Sequence, residues 1–255
     1  MLKIGLIGYG KMGHIIKKIA KDYDLSVISI IDPVNIDADY KEINKESTVK
    51  CDVLIDFSTP NVVMENIKKA IELDIPLVVG TTGWYENLGE VEEIVLKNKG
   101  SLIYATNFSL GVNILFKITE FSSNLFNLAK EYDVAGTEIH HNLKKDIPSG
   151  TAKTLANIVL KNYDIKEKIV YQPGNREIKE NELHFTSLRL GNINGIHEII
   201  FDSNEDQVSI KHNAKGREGF AKGALMAAKY IYTKKGLVNF NESFSRIIEE
   251  VNNGN

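Results

Sequence analysis

The chain has 255 residues, of which 43% are hydrophobic and 25% charged, enough apolar mass for one large or two modest domains. A formal net charge of -3 argues against the broad basic surface of a protein that binds nucleic acid or an anionic membrane. The single cysteine, Cys51, cannot form an intrachain disulfide, and the N-terminal apolar run is too short for a membrane span and lacks the order of a signal peptide. We therefore expect a cytoplasmic protein that acts on small molecules.

Strand-like and helix-like patterns alternate from residue 2 to about residue 105. Apolar runs such as "LKIGLIG", "LSVISIID", "VLIDFS" and "SLIYAT" are separated by amphipathic stretches such as "HIIKKIAKD" and "VMENIKKAIEL". Nearly continuous apolar strands that alternate with helices predict a parallel sheet covered on both faces. The expected fold class is α/β, with a Rossmann-type doubly wound parallel sheet.

The first strand runs into "GYGKMG", a turn with three glycines, Gly8, Gly10 and Gly13, before a helix. Glycines at this spacing allow a tight turn, close approach of the backbone to a pyrophosphate and close helix packing. Asp32 ends the next strand about 20 residues on, where a ribose-binding acid is expected, and Pro33 leaves no arginine there for a 2′-phosphate. The pattern predicts an NAD site, although a doubly wound domain whose glycine turn binds no ligand is the alternative. The intervening residues Tyr9, Lys11 and Met12 belong to this predicted site, and Lys11 is a nearby cation that could soften the preference for NAD.

Two further strands end in short polar segments, "DFSTP" and "GTTG". Ligands of open parallel sheets bind beyond the carboxyl ends of the strands, so we expect these residues to line the cofactor site. Turn chemistry alone would use the same small residues. The candidates are Phe57, Ser58, Gly80, Thr81 and Thr82.

The pattern changes after Asn107. A long helical stretch precedes "YDVAGTEIHH", a second helix, and the alternating segments "LHFTSLRLG", "GIHEIIFDSN" and "QVSIKHNAK". Alternation of this kind predicts a second α+β domain over residues 107–215 with a mixed or antiparallel sheet. The stretch "REGFAKGALMAAKYIYTKK" returns to helical periodicity and is expected to pack back on the first domain, so that residues 1–106 and 216–255 form the dinucleotide-binding domain.

The segment "EIHHNLKKDIPSGTAKT" combines three features that suit catalysis on an anion. They are a histidine pair (His140 and His141), a lysine pair (Lys144 and Lys145) and a helix start (Ser149, Gly150 and Thr151). A helix start binds carboxylates or phosphates, lysines add positive charge, and histidines can move a proton near neutral pH. This predicts an acid/base group beside an anion site. Hydrogen-bonded histidines and solvated lysines without a catalytic role are the alternative, and a zinc site is weaker because no further ligand follows at a suitable spacing.

The chain resembles the dihydrodipicolinate reductase family, the 4-hydroxy-tetrahydrodipicolinate reductases of lysine and diaminopimelate synthesis. The likeness runs from residue 2 to about residue 240 through "GYGKMG", "DFSTP", "GTTG", "ATNFSLGVN", "EIHHNLKKDIPSGTA", "SLRLGNINGIHEI" and "HNAKGREGFAKGA". The most specific segment is the histidine pair with the Lys-x-Asp-x-Pro-Ser-Gly-Thr-Ala that follows it.

The resemblance implies NADH- or NADPH-dependent reduction of a cyclic dicarboxylate, 4-hydroxy-tetrahydrodipicolinate. No metal is expected at the site. The resemblance also implies an N-terminal nicotinamide-binding domain and a C-terminal domain for substrate and homotetramer contacts. His140 would be the acid/base and Lys144 the catalytic cation. Carboxylates of the substrate would be bound by His141, Ser149, Gly150 and Thr151, and the cofactor also by Ala105, Thr106, Asn107 and Phe108.

Three residues depart from the family pattern: Tyr9 and Leu190 stand where small residues are usual, and Ile196 where an acid is usual. Arg217 stands where a basic residue of the family approaches the substrate. Two rival functions are a reductase of another two-domain family, which would need a Lys-Pro motif, and an NADH-binding regulator without turnover, which would need a basic DNA-reading module. The sequence supplies neither feature.

Overall fold

The computed structural model describes residues 1–253 and divides the chain into two compact units. One unit joins residues 1–110 to the chain from Arg217 onward, and the other is Gly111–Gly216. The sequence-based boundaries fall after residues 106 and 215. The strands are β1 (Leu2–Ile7), β2 (Leu25–Ile31), β3 (Val53–Asp56), β4 (Leu77–Val79), β5 (Ser101–Tyr104), β6 (Asp133–His140), β7 (Lys168–Val170), β8 (Glu182–Arg189), β9 (Ile196–Asp202), β10 (Gln207–Asn213) and β11 (Gly236–Asn239). The helices are α1 (Lys11–Ile19), α2 (Lys45–Thr48), α3 (Val63–Glu72), α4 (Leu88–Asn98), α5 (Leu110–Leu128), α6 (Gly150–Asn162), α7 (Glu218–Ile231) and α8 (Phe244–Asn252).

The first unit contains a parallel sheet in the order β11-β5-β4-β3-β1-β2. The chain passes from β1 to β2 on one side and later to β3 on the other side, so the strand order reverses at β1. The loops after β1 and β3 therefore flank a crevice at the carboxyl edge of the sheet, the place where open α/β sheets bind ligands. The doubly wound parallel sheet expected from the sequence is confirmed.

Both faces of this sheet are buried, because alternate residues of each strand enter different apolar cores. Val53 and Ile55 of β3 pack in the core that includes residues of α1, α7 and α8, whereas Leu54 packs in the core that includes residues of α3 and α4. Each of these side chains is at most 1% exposed, and full burial of such a side chain contributes about 1.5–3 kcal/mol. Two-sided burial explains why the strands read as nearly continuous apolar runs.

The second unit is a mixed sheet in the order β10-β9-β6-β8-β7. Its central strand, β6, is antiparallel to β9 and parallel to β8. One face is covered by α5 and α6, whose apolar residues pack with Phe185 and Phe201 of the sheet. Val134 of β6 lies in this core, and the period of two along a strand places Glu138 and His140 on the same face. The expected second α+β domain with a mixed sheet is confirmed.

Two short strands were not predicted from the sequence. After the predicted helix of the tail, which α7 confirms, Gly236–Asn239 form β11, which pairs in parallel with β5 at the edge of the first sheet. The segment assigned as polar contains β7, which pairs with β8. Each strand has only three or four residues, too few for a periodic pattern. Among residues 1–253, no helix combines the length and the apolar character needed to cross a membrane.

Candidate active site

The glycine turn of the first unit is shaped by close backbone contacts. Gly8 has a φ of +86°, and a Cβ there would lie 2.6 Å from the carbonyl oxygen of Phe57. A Cβ on Gly13 would lie 2.7 Å from the carbonyl oxygen of Gly8. Gly10 is different: apart from its chain neighbours and its own helix, no heavy atom of residues 1–253 lies within 4 Å of a Cβ built there. Gly10 is also the N-cap of α1, so the helix start faces open space, as a phosphate-binding turn requires.

Asp32, the predicted ribose-binding acid, also supports the glycine turn. Its Oδ2 accepts from the backbone N–H of Tyr9 at 2.8 Å, and its Oδ1 accepts from those of Val34 and Asn35 at 2.9 Å. Burial opposes the charge, but the three N–H groups outweigh it and hold the pKa of Asp32 below its usual value. An ionised carboxylate has about four acceptor positions, so these bonds leave about one for a ribose hydroxyl.

Tyr9, a departure from the family pattern, is accommodated inside the first unit. Its side chain packs in a core, and its ring stacks on that of His14 with centroids 4.1 Å apart. The ammonium of Lys17 lies 5.4 Å from the Tyr9 ring. The neighbouring Gly8 keeps its positive φ, so the large side chain does not abolish the tight turn. The other predicted residues of this turn are Lys11, exposed at the start of α1, and Met12, half-buried.

Asp56, at the end of β3, fastens two of the predicted cofactor loops from inside. Its Oδ1 accepts from the backbone N–H and the hydroxyl of Ser58 and from the hydroxyl of Thr81, at 2.7–2.8 Å. Its Oδ2 accepts from Asn66 at 2.8 Å. Asp56 is fully buried, and burial raises its pKa despite these hydrogen bonds. The hydroxyls of Ser58 and Thr81 thus donate inward, and sequence reasoning missed the acid that receives them.

The remaining predicted cofactor residues lie in the loops after β3, β4 and β5. The ring of Phe57 occupies the space beside Gly80, where a Cβ would lie 2.2 Å from it, and Thr82 is exposed.

In the loop after β5, the Thr106 backbone N–H and hydroxyl each donate to Asn241 at 3.1 Å. The rest of that loop comprises Ala105 and Phe108, both buried, and Asn107, whose carbonyl accepts from Asn241. All predicted cofactor loops therefore lie at the carboxyl edge of one sheet, which brings them to the same crevice.

In the second unit, Glu138 lies at the centre of the histidine cluster, although the sequence interpretation gave it no role. Its Oε1 accepts from the Ser149 backbone N–H at 2.9 Å and from the Ser187 hydroxyl at 2.7 Å. Its Oε2 lies 3.1 Å from Nδ1 of His140 and 3.7 Å from Nε2 of His197. The side chain of Glu138 is fully buried, and those of the two histidines are only 8% and 5% exposed.

Two pKa values in this cluster are lowered, for different reasons. Burial opposes ionisation of Glu138, but the close imidazoles of His140 and His197 and the hydrogen bonds from Ser149 and Ser187 prevail and hold the pKa of this carboxyl well below its usual range. Burial lowers the pKa of His197 and favours its neutral form, although Glu138 acts in the opposite direction. Oγ of Ser149 accepts from the backbone N–H of Ala152 and lies 3.3 Å from Nε2 of His197.

Lys144 lies in the loop after β6. Its Nζ forms an ion pair with Asp146 at 2.8 Å, and its side chain is 23% exposed. Hydrogen bonding and attraction from Lys144 lower the pKa of Asp146 against the effect of burial. Arg189 braces the loop by donating to the carbonyl of Asp146 at 2.7 Å, and its guanidinium lies 3.4 Å from Glu138. Arg189 thus links the loop that carries Lys144 and Asp146 to Glu138, the neighbour of His140.

The predicted anion site is the N-terminus of α6. Ser149 is its N-cap, with a side-chain hydrogen bond to the third residue of the helix, and is 3% exposed. Gly150 is exposed, with open space where a Cβ would be, and Thr151 is half-exposed. His141 is half-buried and donates its backbone N–H to the carbonyl of Ile193. Glu138 links this helix start to the histidine cluster through the backbone of Ser149.

Glu138, His140 and His197 also place one ligand atom each within 4.8 Å of one another, a spacing that could hold a metal ion. The carboxylate already accepts two hydrogen bonds, and the Arg189 guanidinium near it opposes a further cation. The absence of a metal from the reaction stays a prediction.

Arg217, a basic residue singled out in the sequence, belongs to the first unit, where it is the N-cap of α7.

A doubly wound sheet with a glycine turn of the dinucleotide-binding type, together with a separate α+β unit that carries buried titratable groups, is typical of two-domain Rossmann oxidoreductases. The family model "Dihydrodipicolinate reductase, N-terminus" matches residues 2–108, and "Dihydrodipicolinate reductase, C-terminus" matches residues 111–244. The chain therefore belongs to the dihydrodipicolinate reductase family. Its N-terminal half is of the type that binds a pyridine nucleotide.

The similarity to known relatives covers nearly the whole chain. A 4-hydroxy-tetrahydrodipicolinate reductase of Christiangramia forsetii is 36% identical over 249 residues, which cover 97% of this chain and 100% of the relative. One from Methanocaldococcus jannaschii is 32% identical over 269 residues, with 94% and 96% covered. The structure of a dipicolinate-bound dihydrodipicolinate reductase from Paenisporosarcina sp. TG-14 matches with a TM-score of 0.76 at 23% identity, covering 95% of this chain and 99% of that one. This structural likeness shows the fold.

Proposed function

We propose that this protein catalyses the NADH- or NADPH-dependent reduction of 4-hydroxy-tetrahydrodipicolinate to tetrahydrodipicolinate in diaminopimelate and lysine synthesis. The observation that carries the proposal is the cluster at the end of β6. A buried histidine, His140, a lysine, Lys144, and an exposed helix start at Gly150 occur together in a chain of this family. A proton donor, a cation and an anion site are the groups that reduction of an unsaturated cyclic dicarboxylate requires.

The reaction takes up one hydride and one proton and releases the 4-hydroxyl as water. The nicotinamide supplies the hydride when it is bound. Loss of the 4-hydroxyl as water, together with a proton of the neighbouring ring carbon, leaves a C=C–C=N system. Hydride adds to the carbon that held the hydroxyl and pushes electron density toward the C=N group, and His140 donates a proton to the ring carbon that lost one. Lys144 stabilises the developing negative charge. The N–H groups at the start of α6 hold a substrate carboxylate, with His141, Ser149, Gly150 and Thr151 as its binding residues, and so fix the orientation of the ring.

We expect NADH to serve at least as well as NADPH. The support is Asp32, whose lowered pKa keeps it ionised at neutral pH with about one acceptor position open. A carboxylate accepts from a free ribose 2′-hydroxyl but repels a 2′-phosphate, and Pro33 supplies no cation to counter that repulsion.

The second unit is proposed to form a homotetramer. Residues of β6 that alternate with the buried ones, such as Thr137 and Ile139, are half-exposed, and Leu188 on the neighbouring β8 is 51% exposed. A sheet face of this kind can be covered by other copies of the chain. Sedimentation at micromolar concentration should give a tetramer, and a clean monomer would contradict the proposal.

The function is tested by following NADH oxidation by the purified protein with and without 4-hydroxy-tetrahydrodipicolinate. Substrate-dependent oxidation, with tetrahydrodipicolinate as the product, is expected. NADH binding without turnover would instead favour the regulator hypothesis. Oxidation that depends on a sugar or an amino acid would favour a different reductase.

A further inference from the structure

The carboxylate of Glu138 is held in a fixed orientation by groups other than the neighbouring His140 and His197. Both the Ser149 backbone N–H and the Ser187 hydroxyl donate to the same oxygen, Oε1. These donors come from the start of α6 and from β8, two elements packed around β6. The other oxygen, Oε2, consequently points toward the ring of His140, two residues along the strand on the same face.

The distance from Oε2 of Glu138 to Nδ1 of His140 is 3.1 Å, within reach of a charge-assisted hydrogen bond. The angle falls short of a well-aligned bond, and among the described residues neither buried atom has an aligned partner elsewhere. A small rotation of the imidazole would satisfy both atoms. A neutral imidazole has one N–H, and an ionised carboxylate can only accept, so the proton then resides on Nδ1.

The other ring nitrogen of His140, Nε2, lies beside a glycine. A Cβ on Gly195 would lie 3.0 Å from Nε2, and Gly195 has a φ of +152°, which a side chain rarely adopts. Because residue 195 is a glycine, no side chain at that position covers Nε2 of His140. The two contacts give the two nitrogens of one ring different surroundings.

We propose that Glu138 is a positioning residue that holds the proton of His140 on Nδ1 and so assigns proton exchange with the substrate to Nε2. The proposal rests on the proposed function for the role of His140. Glu138 does not contact the reacting atoms; it sets the tautomer and orientation of the ring and stabilises the imidazolium before that ring gives up its proton. This assigns a role to a residue that the active-site motif alone left without one.

The substitution Glu138→Gln tests the assignment because glutamine nearly preserves the size of the side chain. Its carbonyl oxygen can still accept from Ser149 and Ser187, which places its NH2 group against Nδ1 of His140. Nδ1 must then accept, and the proton moves to Nε2. We expect kcat to fall about 10²-fold or more, while KM for the substrate and the Kd for NADH stay within about threefold.

Glu182→Gln is the matched control. Glu182 is likewise a buried glutamate of the second unit, 2% exposed, and pairs with Arg176 at 2.7 Å. Its replacement also removes a buried charge but leaves the contacts of His140 unchanged, so kcat should stay within about twofold. Thermal unfolding of both variants separates a loss of stability from a loss of catalysis. A similar fall of kcat in both would overturn the positioning role.

The tautomer can be observed directly by imidazole ¹⁵N NMR of the full chain, with His140→Ala to assign the signal. The wild type should carry its proton on Nδ1 when neutral, and Glu138→Gln on Nε2. A wild-type proton on Nε2 would overturn the proposal even if the glutamine variant failed to fold. An unchanged kcat in a folded Glu138→Gln variant would also overturn it. A wild type without reductase activity would instead refute the proposed function, and the tautomer measurement would still decide the assignment.

Discussion

Asp56 in the first unit and Glu138 in the second are both fully buried carboxylates. Asp56 accepts from two hydroxyls, a backbone N–H and an amide, all neutral donors, and burial raises its pKa. Glu138 faces two imidazoles and a guanidinium as well as neutral donors, and its pKa is lowered. The shifts are opposite because the partners differ and because Asp56 lies deeper in the protein, where burial disfavours its charge more strongly. Neutral donors suit a structural tie between loops, whereas cationic and titratable partners suit a site that handles protons.

The largest expected effect is on kcat and concerns the proposed proton-transfer site around Glu138. His140→Ala and Lys144→Ala should each lower kcat by about 10²-fold or more, because proton donation and charge stabilisation act mainly in the transition state. NADH binding, measured by fluorescence titration, should be nearly unchanged, since these residues belong to the second unit.

Lys145→Ala is the control for Lys144, because Lys145 is its exposed neighbour. Its kcat should stay within about twofold of the wild type, as expected for a surface substitution. If His140→Ala retained the wild-type kcat, or lost NADH binding equally, the histidine pair would be structural.

The structural tie is tested at Asp56. Asp56→Ala leaves the donors of Ser58, Thr81 and Asn66 without their acceptor, so the free energy of unfolding should fall by about 3 kcal/mol. Asp56→Asn should cost less than Asp56→Ala, because its amide oxygen can still accept from Ser58 and Thr81 and only Asn66 loses its acceptor. Urea unfolding measures both variants. A cost for Asp56→Asn as large as that for Asp56→Ala would contradict the contrast with Glu138.

Asp32 sharpens the comparison, because it is braced by neutral backbone donors yet has a lowered pKa. Asp32→Ala should lower kcat/KM with NADH by up to about tenfold, as expected for a charge-assisted hydrogen bond of about 1.5 kcal/mol. Steady-state kinetics with NADH and NADPH give the measurement, and Asp32→Asn separates the charge from the shape of the turn. A hundredfold preference of the wild type for NADPH would refute the proposed role of Asp32.

The smallest effect concerns pH and His197. Its pKa in the folded protein lies below the ordinary value of 6.5, so the unfolded chain binds a proton more readily between the two values. Stability should therefore rise with pH across that window and level off above about 6.5. Thermal unfolding between pH 5 and 8 should show a flatter profile for His197→Gln. An identical profile in the variant would mean that another group titrates there.

Much of the fold and of the proposed active site could be predicted because its signals are local. Periodicity predicted the alternating elements of the first unit, since two-sided burial of strands leaves long apolar runs. The glycine spacing predicted the turn at Gly8, because only glycine tolerates a φ of +86° with a carbonyl so close. The resemblance in "EIHHNLKKDIPSGTA" pointed to His140 and Lys144, because both lie in one short motif.

The sequence by itself determined the α/β class, the position of the glycine turn and the candidate His-Lys segment. Only the tertiary structure decided that β11 completes the first sheet, that Asp56 fastens two loops and that Glu138 lies between two histidines. Ser187 and His197 reach Glu138 from 49 and 59 positions along the chain. Such contacts depend on strand order and register, which no local pattern encodes. For the same reason, the opposite pKa shifts of Asp56 and Glu138 follow from partners that only folding brings to them.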